Sequence, residues 1–243
     1  MFGNFKNTNS MKLKLTLLLY SSISFVFASD YVKSEILSSA YNSVGIAVVE
    51  SFGDVEASGT GITFTYKPTP INIIFNYTTA DSDIDEILGL SVFDVEAEAD
   101  TFQLGYLIER DGSSHLIPFI STGSLEYSYL GYNIEADTTS FGFLLRSFQG
   151  ENTVFTFGLE YVDYDDMTVP SATRSAINTA LNNIGYTSLS DADFNSIENT
   201  ATSSTTIFSL GIEYHVTGNM IIDYGLATDF DNTSLSFGIG LKY

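Results

Sequence analysis

The sequence predicts an all-β protein: a closed antiparallel up-and-down transmembrane β-barrel of about ten strands. Three observations favour this fold. They are an amino-terminal export signal, a series of segments in which apolar and polar residues alternate, and connections that alternate between short turns and longer loops. A tilted strand needs about 9–11 residues to cross a membrane, with one face apolar for lipid and the other small or polar for the interior. Eight strands is the alternative count, because the first and third segments carry the weakest signal.

Residues 1–28 have the features of a secretory signal peptide that is removed from the mature protein. Lys12 and Lys14 form a basic start, an apolar run follows over residues 13–27, and Ala28 ends a small-residue cleavage pattern. Met11 is an alternative start. The run is shorter than the roughly 20 residues of a membrane-spanning helix. We therefore expect an exported chain in which residues 29–243 form a single barrel domain and enter a membrane as strands.

The strand signal is alternation with period two, the pattern of a strand whose two faces meet different surroundings. In one such segment, Phe102, Leu104 and Tyr106 share the face opposite Gln103 and Gly105. The ten segments are 44–49, 61–67, 71–78, 102–108, 117–129, 141–146, 155–161, 208–214, 220–226 and 235–243. In segment 117–129 the residues assigned to the outward face are Ile117, Phe119, Leu125, Tyr127 and Tyr129.

The connections sort into two kinds. Short turns rich in Gly, Pro, Asn and Asp are expected at 67–70, 109–114, 149–152 and 217–219. Longer loops are expected at 51–58, 80–100, 131–137 and 165–203. Transmembrane barrels have short periplasmic turns and long extracellular loops, and an even number of strands leaves both termini in the periplasm.

The loop at 165–203 contains helical signals. Apolar residues recur at helical spacing after Pro170, and Gly185 provides a stop. Ser190 and Asp193 resemble a capping box before a second helical turn. Two small helices over the outer mouth, or a solvated loop with transient helix, both fit this pattern.

The last strand carries the most specific pattern. Ser236, Gly238, Leu241 and Tyr243 occupy the polar, glycine, apolar and terminal aromatic places of a spacing that resembles the carboxy-terminal targeting signal of bacterial outer-membrane barrels. The mature chain resembles the small outer-membrane β-barrels of Gram-negative bacteria, the OmpA-like and opacity-type porin-family group. This resemblance implies a monomeric meander in outer-membrane lipid, inserted from the periplasm by the barrel-insertion machinery, with roles in envelope integrity, surface interaction or limited diffusion.

Composition excludes several functions. The chain has 30 acidic and nine basic residues, and three of the basic residues (Lys6, Lys12 and Lys14) lie in the first 28 positions, so the mature chain has a net charge of −24. Such a charge argues against binding nucleic acid or docking on anionic lipid. The chain has no cysteine. The two histidines, His115 and His215, fall at short-turn ends, away from the outer rim, so we expect neither an enzyme nor a cofactor.

The inward faces are expected to hold a polar network. Its residues are Lys67, Gln103, Glu126, Arg146, Glu160, Glu213, Asp223 and Lys242. Arg146 and Glu160 fall on adjacent strands and are candidates for an ion pair, because unpaired charges in a low-dielectric interior are costly. Many other inward positions are glycine, which suits a narrow interior. The network fits either a plugged structural barrel or a narrow passage that favours small cations.

Acidic clusters lie in the expected outer loops. Asp81, Asp83, Asp85 and Glu86 are weak candidates for binding a hard cation such as Ca²⁺. They lack the glycine at the sixth and the glutamate at the twelfth place of an EF-hand loop, so solvated acidic loops are the default.

Two functions remain open. One is a structural or surface-interaction barrel that meets extracellular ligands through its acidic loops near 80–100 and 165–203. The other is a narrow cation-favouring diffusion channel. An outer-membrane enzyme and a soluble exported β-sandwich are remote alternatives.

Overall fold

The computed structural model describes residues 41–53, 55–87, 90–91, 95–110, 113–129, 132–149, 153–165, 169–183, 187–195, 204–216 and 219–243. The expected signal peptide at 1–28 and the alternative start at Met11 lie outside the described residues.

The described residues contain ten long strands, a helix and a short helical turn. The strands are β1 (Ser43–Gly53), β2 (Val55–Tyr66), β3 (Ile73–Ile87), β4 (Val95–Tyr106), β5 (Ser114–Tyr129), β6 (Tyr132–Gln149), β7 (Thr153–Tyr164), β8 (Thr205–His215), β9 (Met220–Thr228) and β10 (Asn232–Lys242), and the helix is α1 (Ser171–Asn183). Two-residue pieces, Leu90–Ser91 and Ile108–Glu109, extend the pairing of β3 and β5.

The strands form a closed barrel. Each strand pairs antiparallel with the strands before and after it in the chain. The first and last strands close the circle, with Ser43 opposite Lys242 and Gly53 opposite Asn232. This is the antiparallel meander expected from the sequence, with ten strands rather than eight. Closure leaves no sheet edge without partners.

Three of the four expected loops are shorter than the sequence suggested. The interval 51–58 is almost entirely strand, because β1 runs to Gly53 and β2 begins at Val55. Residues 80–87 and 95–100 belong to β3 and β4, so the expected loop at 80–100 shrinks to the segment between them. The loop expected at 131–137 is also largely strand, because β6 starts at Tyr132. The fourth loop is long, since β7 ends at Tyr164 and β8 starts at Thr205.

Over one part of every strand, the outward face is apolar. Its large side chains are exposed to the surroundings of the barrel: Val44, Ile46, Val48, Ile62, Phe64, Tyr77, Phe102, Ile120, Phe141, Phe155, Leu210, Tyr224 and Ile239 are among them. The neighbouring inward positions are small or polar. This is the polarity of a barrel wall that faces lipid.

Towards the end of the barrel that carries the long connection after β7, the polarity reverses. The outward positions of β3 and β4 become acidic, with Asp81, Asp83, Glu96 and Glu98 all exposed. The inward positions become apolar and pack together as a cluster of Val49, Ala57, Ala80, Ile84, Ala97, Ala99, Leu125, Tyr127 and Ala136. A polar outside and an apolar inside suit a barrel that stands in water. The strands therefore continue beyond the apolar band as a water-facing extension, which we call the outer barrel.

The orientation that the sequence predicted for β5 is wrong. Ile117, Phe119, Leu125 and Tyr127 are buried inside the barrel, not exposed to lipid. Glu126 consequently faces outward, where it accepts a hydrogen bond from Asn133, and it does not belong to the interior network. Leu125 and Tyr127 belong to the outer barrel, where the apolar face is the inner one, whereas Ile117 packs with Tyr41 at the other end of the interior.

The loop after β7 contains the two expected helical pieces. The first is α1, and the second is a turn over residues 191–195. Ser190 and Asp193 form a reciprocal cap: the Asp193 amide donates to the Ser190 hydroxyl at 3.3 Å, and the Ser190 amide donates to the Asp193 carboxylate at 2.8 Å. Hydrogen bonds from the Ser190 hydroxyl and amide hold the pKa of Asp193 below its usual value.

The helix and the turn are joined by side-chain contacts. Arg174 lies over the ring of Phe194 at 5.2 Å, and the Asn178 side chain bonds the backbone of Leu189 in both directions. Coverage of the outer mouth by these pieces stays a prediction. Among the described helices, none has the length and apolar character needed to span a membrane.

The orientation of β5 can be tested by a pair of substitutions. Leu125→Ala should lower the free energy of unfolding by about 2–5 kcal/mol, because it leaves a cavity in the inner cluster of the outer barrel. Ser124→Ala, on the outward face, should change it by less than about 0.5 kcal/mol. Denaturant unfolding of the refolded barrel in detergent measures both. If Ser124→Ala destabilised the barrel more than Leu125→Ala, the orientation expected from the sequence would be correct.

Candidate functional site

An ion pair between β6 and β8 lies inside the barrel, near the end that carries the short turns. Nη2 of Arg146 donates to both carboxylate oxygens of Glu213 at 2.6 Å. On the intervening strand β7, Thr156 lies opposite Arg146, and on β8, Gly211 lies opposite Thr156. These short residues leave a path along which the long arginine side chain reaches the second strand. Both partners are almost fully buried, so each charge depends on the other.

The expected pair between Arg146 and Glu160 is wrong. Glu160 lies opposite Gly142 in the ladder, whereas Arg146 lies opposite Thr156. Four residues along a strand separate the two levels by about 13 Å, at 3.3 Å per residue. Glu160 instead accepts a hydrogen bond from the Ser140 hydroxyl at 2.5 Å, and Ser140 also bonds Ser121. The carboxylate is thus held by a relay of hydroxyl groups.

A residue two positions before the start of β1 closes one end of the interior. Tyr41 is fully buried, and its hydroxyl lies 2.5 Å from Nδ1 of His115. The Arg146 guanidinium stands over the Tyr41 ring at 5.3 Å. Ile74, Leu107 and Ile117 pack around the same ring. Sequence reasoning missed Tyr41, because it precedes the first alternating segment and shares no strand periodicity.

A second polar ladder crosses β2, β3 and β4. The hydroxyls of Thr63 and Thr78 lie 3.1 Å apart, Thr65 donates to Asn76 at 3.5 Å, and Asn76 donates to Gln103 at 3.2 Å. Gln103 therefore faces inward as expected, with a defined partner. These short bonds tie neighbouring strands together across the inner surface.

The cationic residues at the ends of the expected network have different surroundings. Lys67 is buried, and its backbone amide donates to the Asn42 side chain at 2.9 Å. Lys242 is only half-buried at the end of β10, and its amide donates to the Asn219 carbonyl at 2.9 Å. Of the two, Lys67 alone is enclosed by the barrel.

Asp223 adds a second carboxylate beside the ion pair. It lies directly opposite Glu213 in the β8–β9 ladder, and one of its oxygens has no hydrogen-bond partner among the described residues. Its carboxylate packs against Gly238 so closely that a Cβ at that position would stand 2.6 Å from an oxygen. The glycine of the terminal pattern thus also makes room for an interior acid.

The terminal pattern occupies defined places in β10. Ser236 and Gly238 face the interior, and Leu241 faces outward. The Tyr243 ring stacks on Phe64 at 5.8 Å, and its hydroxyl donates to the Thr65 carbonyl at 3.2 Å. A role of these residues in targeting stays a prediction.

The acidic candidates for cation binding lie in a strand rather than a loop. Asp81, Asp83 and Asp85 alternate along the outward face of β3, and Glu86 follows in the same strand. Within the described ranges, no group of three or more His, Asp or Glu side chains is placed to hold a metal ion.

The interior is filled by its own side chains. Seven polar residues that line it are between 1% and 9% exposed: Lys67, Asn76, Gln103, Arg146, Glu160, Glu213 and Asp223. A water-filled channel would leave such residues in contact with solvent. In this conformation the side chains of the wall occupy the space that a solute would need.

Comparison with known proteins gives likeness of fold. Neither a protein-family model nor a curated protein matches the chain. Among solved structures, an outer-membrane channel from Pseudomonas putida F1 is 11% identical with a TM-score of 0.46, over 90% of this chain and 100% of that one. The β domain of the Bordetella autotransporter BrkA is 9% identical with a TM-score of 0.45, over 84% and 98%. The NanC porin is 9% identical with a TM-score of 0.42, over 82% and 100%. The barrel assignment itself rests on the strand pairing described above.

The ion pair can be tested by a double-mutant cycle. Arg146→Met should destabilise the barrel by about 3–5 kcal/mol, because it leaves Glu213 buried without a counter-charge. Adding Glu213→Gln should recover part of that loss. The same cycle with Glu160→Gln should give a coupling energy of less than about 0.5 kcal/mol, as for sites without shared partners. Denaturant unfolding measures all six proteins: the unaltered chain, the three single variants and the two double variants. Stronger coupling to Glu160 would contradict the observed pairing.

The packing of the interior can be tested at two glycines. A Cβ at Gly142 would overlap the Leu159 carbonyl oxygen and stand 2.9 Å from the Glu160 Cα, so backbone must move. Gly142→Ala should therefore destabilise the barrel by about 1–3 kcal/mol. At Gly225 the nearest atom is the Ser236 hydroxyl, which can rotate, so Gly225→Ala should change stability by less than about 1 kcal/mol. Equal effects in unfolding measurements would count against a tight interior at Gly142.

Proposed function

We propose that this protein is an outer-membrane β-barrel with a structural or surface-interaction role, performed by its outer barrel and the loop after β7. The observation that carries this proposal is the filled interior. Arg146 and Glu213 cross it, Tyr41 closes one end, and the apolar cluster around Leu125 and Tyr127 fills the outer barrel.

The membrane location is supported by the outward apolar band. Side chains such as Ile46, Ile62, Ile120 and Phe141 are exposed on every side of the wall, and in water such a band would drive association. Export through a signal peptide and insertion by the barrel-insertion machinery complete the proposal. In this orientation the short connections and both ends of the barrel domain face the periplasm.

The outer barrel is the part available to partners. Its wall is acidic on the outside, and the helix–turn unit of the following loop is ordered by Arg174, Asn178 and Phe194. A stiff acidic surface suits a cationic partner outside the cell, because complementary charge raises the rate of encounter. No catalytic role is proposed: His115 is engaged by Tyr41 inside the barrel.

A narrow cation-favouring channel is the second candidate. The observation in its favour is the number of interior carboxylates: Glu160, Glu213 and Asp223 lie on adjacent strands, and Arg146 pairs with only one of them. Such a passage would require Arg146 and Tyr41 to leave their present positions.

Planar-bilayer conductance decides between the two candidates. The refolded mature chain, with folding confirmed by heat-modifiable gel migration, should give no steady single-channel steps. A variant with Tyr41→Gly, Arg146→Gly and Glu213→Gly should give them, because it removes the side chains that close and cross the interior. Steady cation-selective steps from the unaltered chain would overturn the structural proposal and favour the channel.

A further inference from the structure

The outer face of the barrel carries a groove where the apolar band meets the outer barrel. The groove is a cavity of about 890 Å³ across β9, β10, β1, β2, β3 and β4. Its long axis follows one row of the ladder, in which Tyr224, Phe237, Val48, Thr60, Asp81 and Glu98 are successive partners with outward side chains.

Apart from Val49, the inward residues behind the groove are small. The next inward row includes Gly225, Ser236, Gly59, Ser82 and Ala97. At Gly59 an added Cβ would stand 2.8 Å from the Ser82 Cβ, so these neighbouring strands approach closely.

The groove is apolar at one end. Val48, Leu235 and Phe237 line it there, and all three are exposed. A second cavity of about 360 Å³ continues from Val48 and Phe237 into the lipid-facing band, where Ile46, Ile62 and Ile239 line it. In a membrane, this cavity is open to the acyl chains of the bilayer and closed to soluble ligands.

The other end of the groove is acidic. Asp81 lies directly opposite Glu98, and Asp83 directly opposite Glu96. Like charges in directly opposite positions destabilise a strand pair. In the described part of the chain, none of these four carboxylates forms an ion pair with a basic residue. A cation that settled between them would relieve the repulsion, whereas an anionic head group would add to it.

We propose that this groove binds a membrane lipid whose head group carries a protonated amine. The acyl chain lies in the apolar cavity beside Val48 and Phe237, and the ammonium group lies against Asp81, Asp83, Glu96 and Glu98. The proposal rests on the membrane location proposed above. The occupant is a lipid because only a molecule already in the bilayer reaches the apolar cavity, and it is cationic because of the carboxylates.

The chain contains no tryptophan, so a single introduced tryptophan reports on neighbouring lipid. Val48→Trp places the reporter in the groove, and Phe141→Trp places a control on β6, on the outward face away from the groove. Each protein is refolded into phosphatidylcholine vesicles that contain either brominated phosphatidylcholine or a brominated diacyl dimethylammonium-propane lipid. The ratio of quenching by the cationic lipid to quenching by phosphatidylcholine should be about threefold higher at position 48 than at position 141.

Charge variants show whether the four carboxylates cause this preference. Asp81→Asn, Asp83→Asn, Glu96→Gln and Glu98→Gln together should reduce the ratio at position 48 to that at position 141. A matched variant removes four outward acids on β6, on β7 and just after β7: Glu135→Gln, Asp137→Asn, Asp163→Asn and Asp165→Asn. It should keep the preference. If the first variant does not fold, salt gives the same test, because about 1 M salt screens charges beyond about 3 Å.

The outcomes separate the two proposals. Loss of quenching by both brominated lipids at both positions would mean that the barrel is not in the bilayer, which overturns the proposed location. Quenching at both positions with equal ratios would overturn the groove while leaving the membrane location intact. A preference at position 48 that survives both the charge variant and high salt would show that the carboxylates do not select the lipid.

Discussion

The contact on which the rest of this barrel depends is the ladder between β1 and β10. Hydrocarbon offers no water to an unpaired backbone N–H or C=O group, so a sheet with open edges cannot remain there. Residues 43–53 and 232–242 pair over their whole length and remove both edges. The circle closes only when β10 has paired with β1. The terminal residues that resemble a targeting pattern are therefore also the residues that complete the structure.

Closure determines what the inner surface must contain. A ten-stranded wall encloses little space. Outside the apolar cluster of the outer barrel, its inward positions are occupied mainly by glycine, hydroxyl residues, amides and a few charged side chains. Arg146 is accommodated because its neighbours across β7 and β8 are Thr156 and Gly211. Asp223 is accommodated because Gly238 stands opposite it. Arg146 and Asp223 thus each fit inside the barrel because residues on neighbouring strands are small, so the packing of one strand's inward face depends on that of the next.

Alternation along the sequence was sufficient to predict the number of strands, their order and nine of their ten orientations. The error at β5 has a definite cause. Period-two alternation shows that Leu125 and Tyr127 share a face, but it does not say whether that face meets lipid or the interior. The answer depends on the surroundings of the barrel, which in the proposed membrane location change from hydrocarbon to water along the strand. The same change explains the loop errors, because Asp81 and Glu98 in a water-facing strand have the composition of a loop.

The interior partners could be predicted less well than the wall. Which strand a residue belongs to follows from its own segment, but its level in the barrel depends on the stagger of every ladder between it and its partner. Arg146 and Glu160 are on adjacent strands and still lie at different levels, whereas Arg146 reaches Glu213 by crossing a strand. Tyr41 lies outside any periodic segment, so no pattern in the sequence marks it. Yet Tyr41 contacts both His115 and Arg146 and thereby joins the start of the barrel to the Arg146–Glu213 ion pair. A change that frees Tyr41 would remove a ring from above the guanidinium and a partner from the histidine together. Tyr41, His115 and the Arg146–Glu213 pair therefore pack as one unit at this end of the barrel.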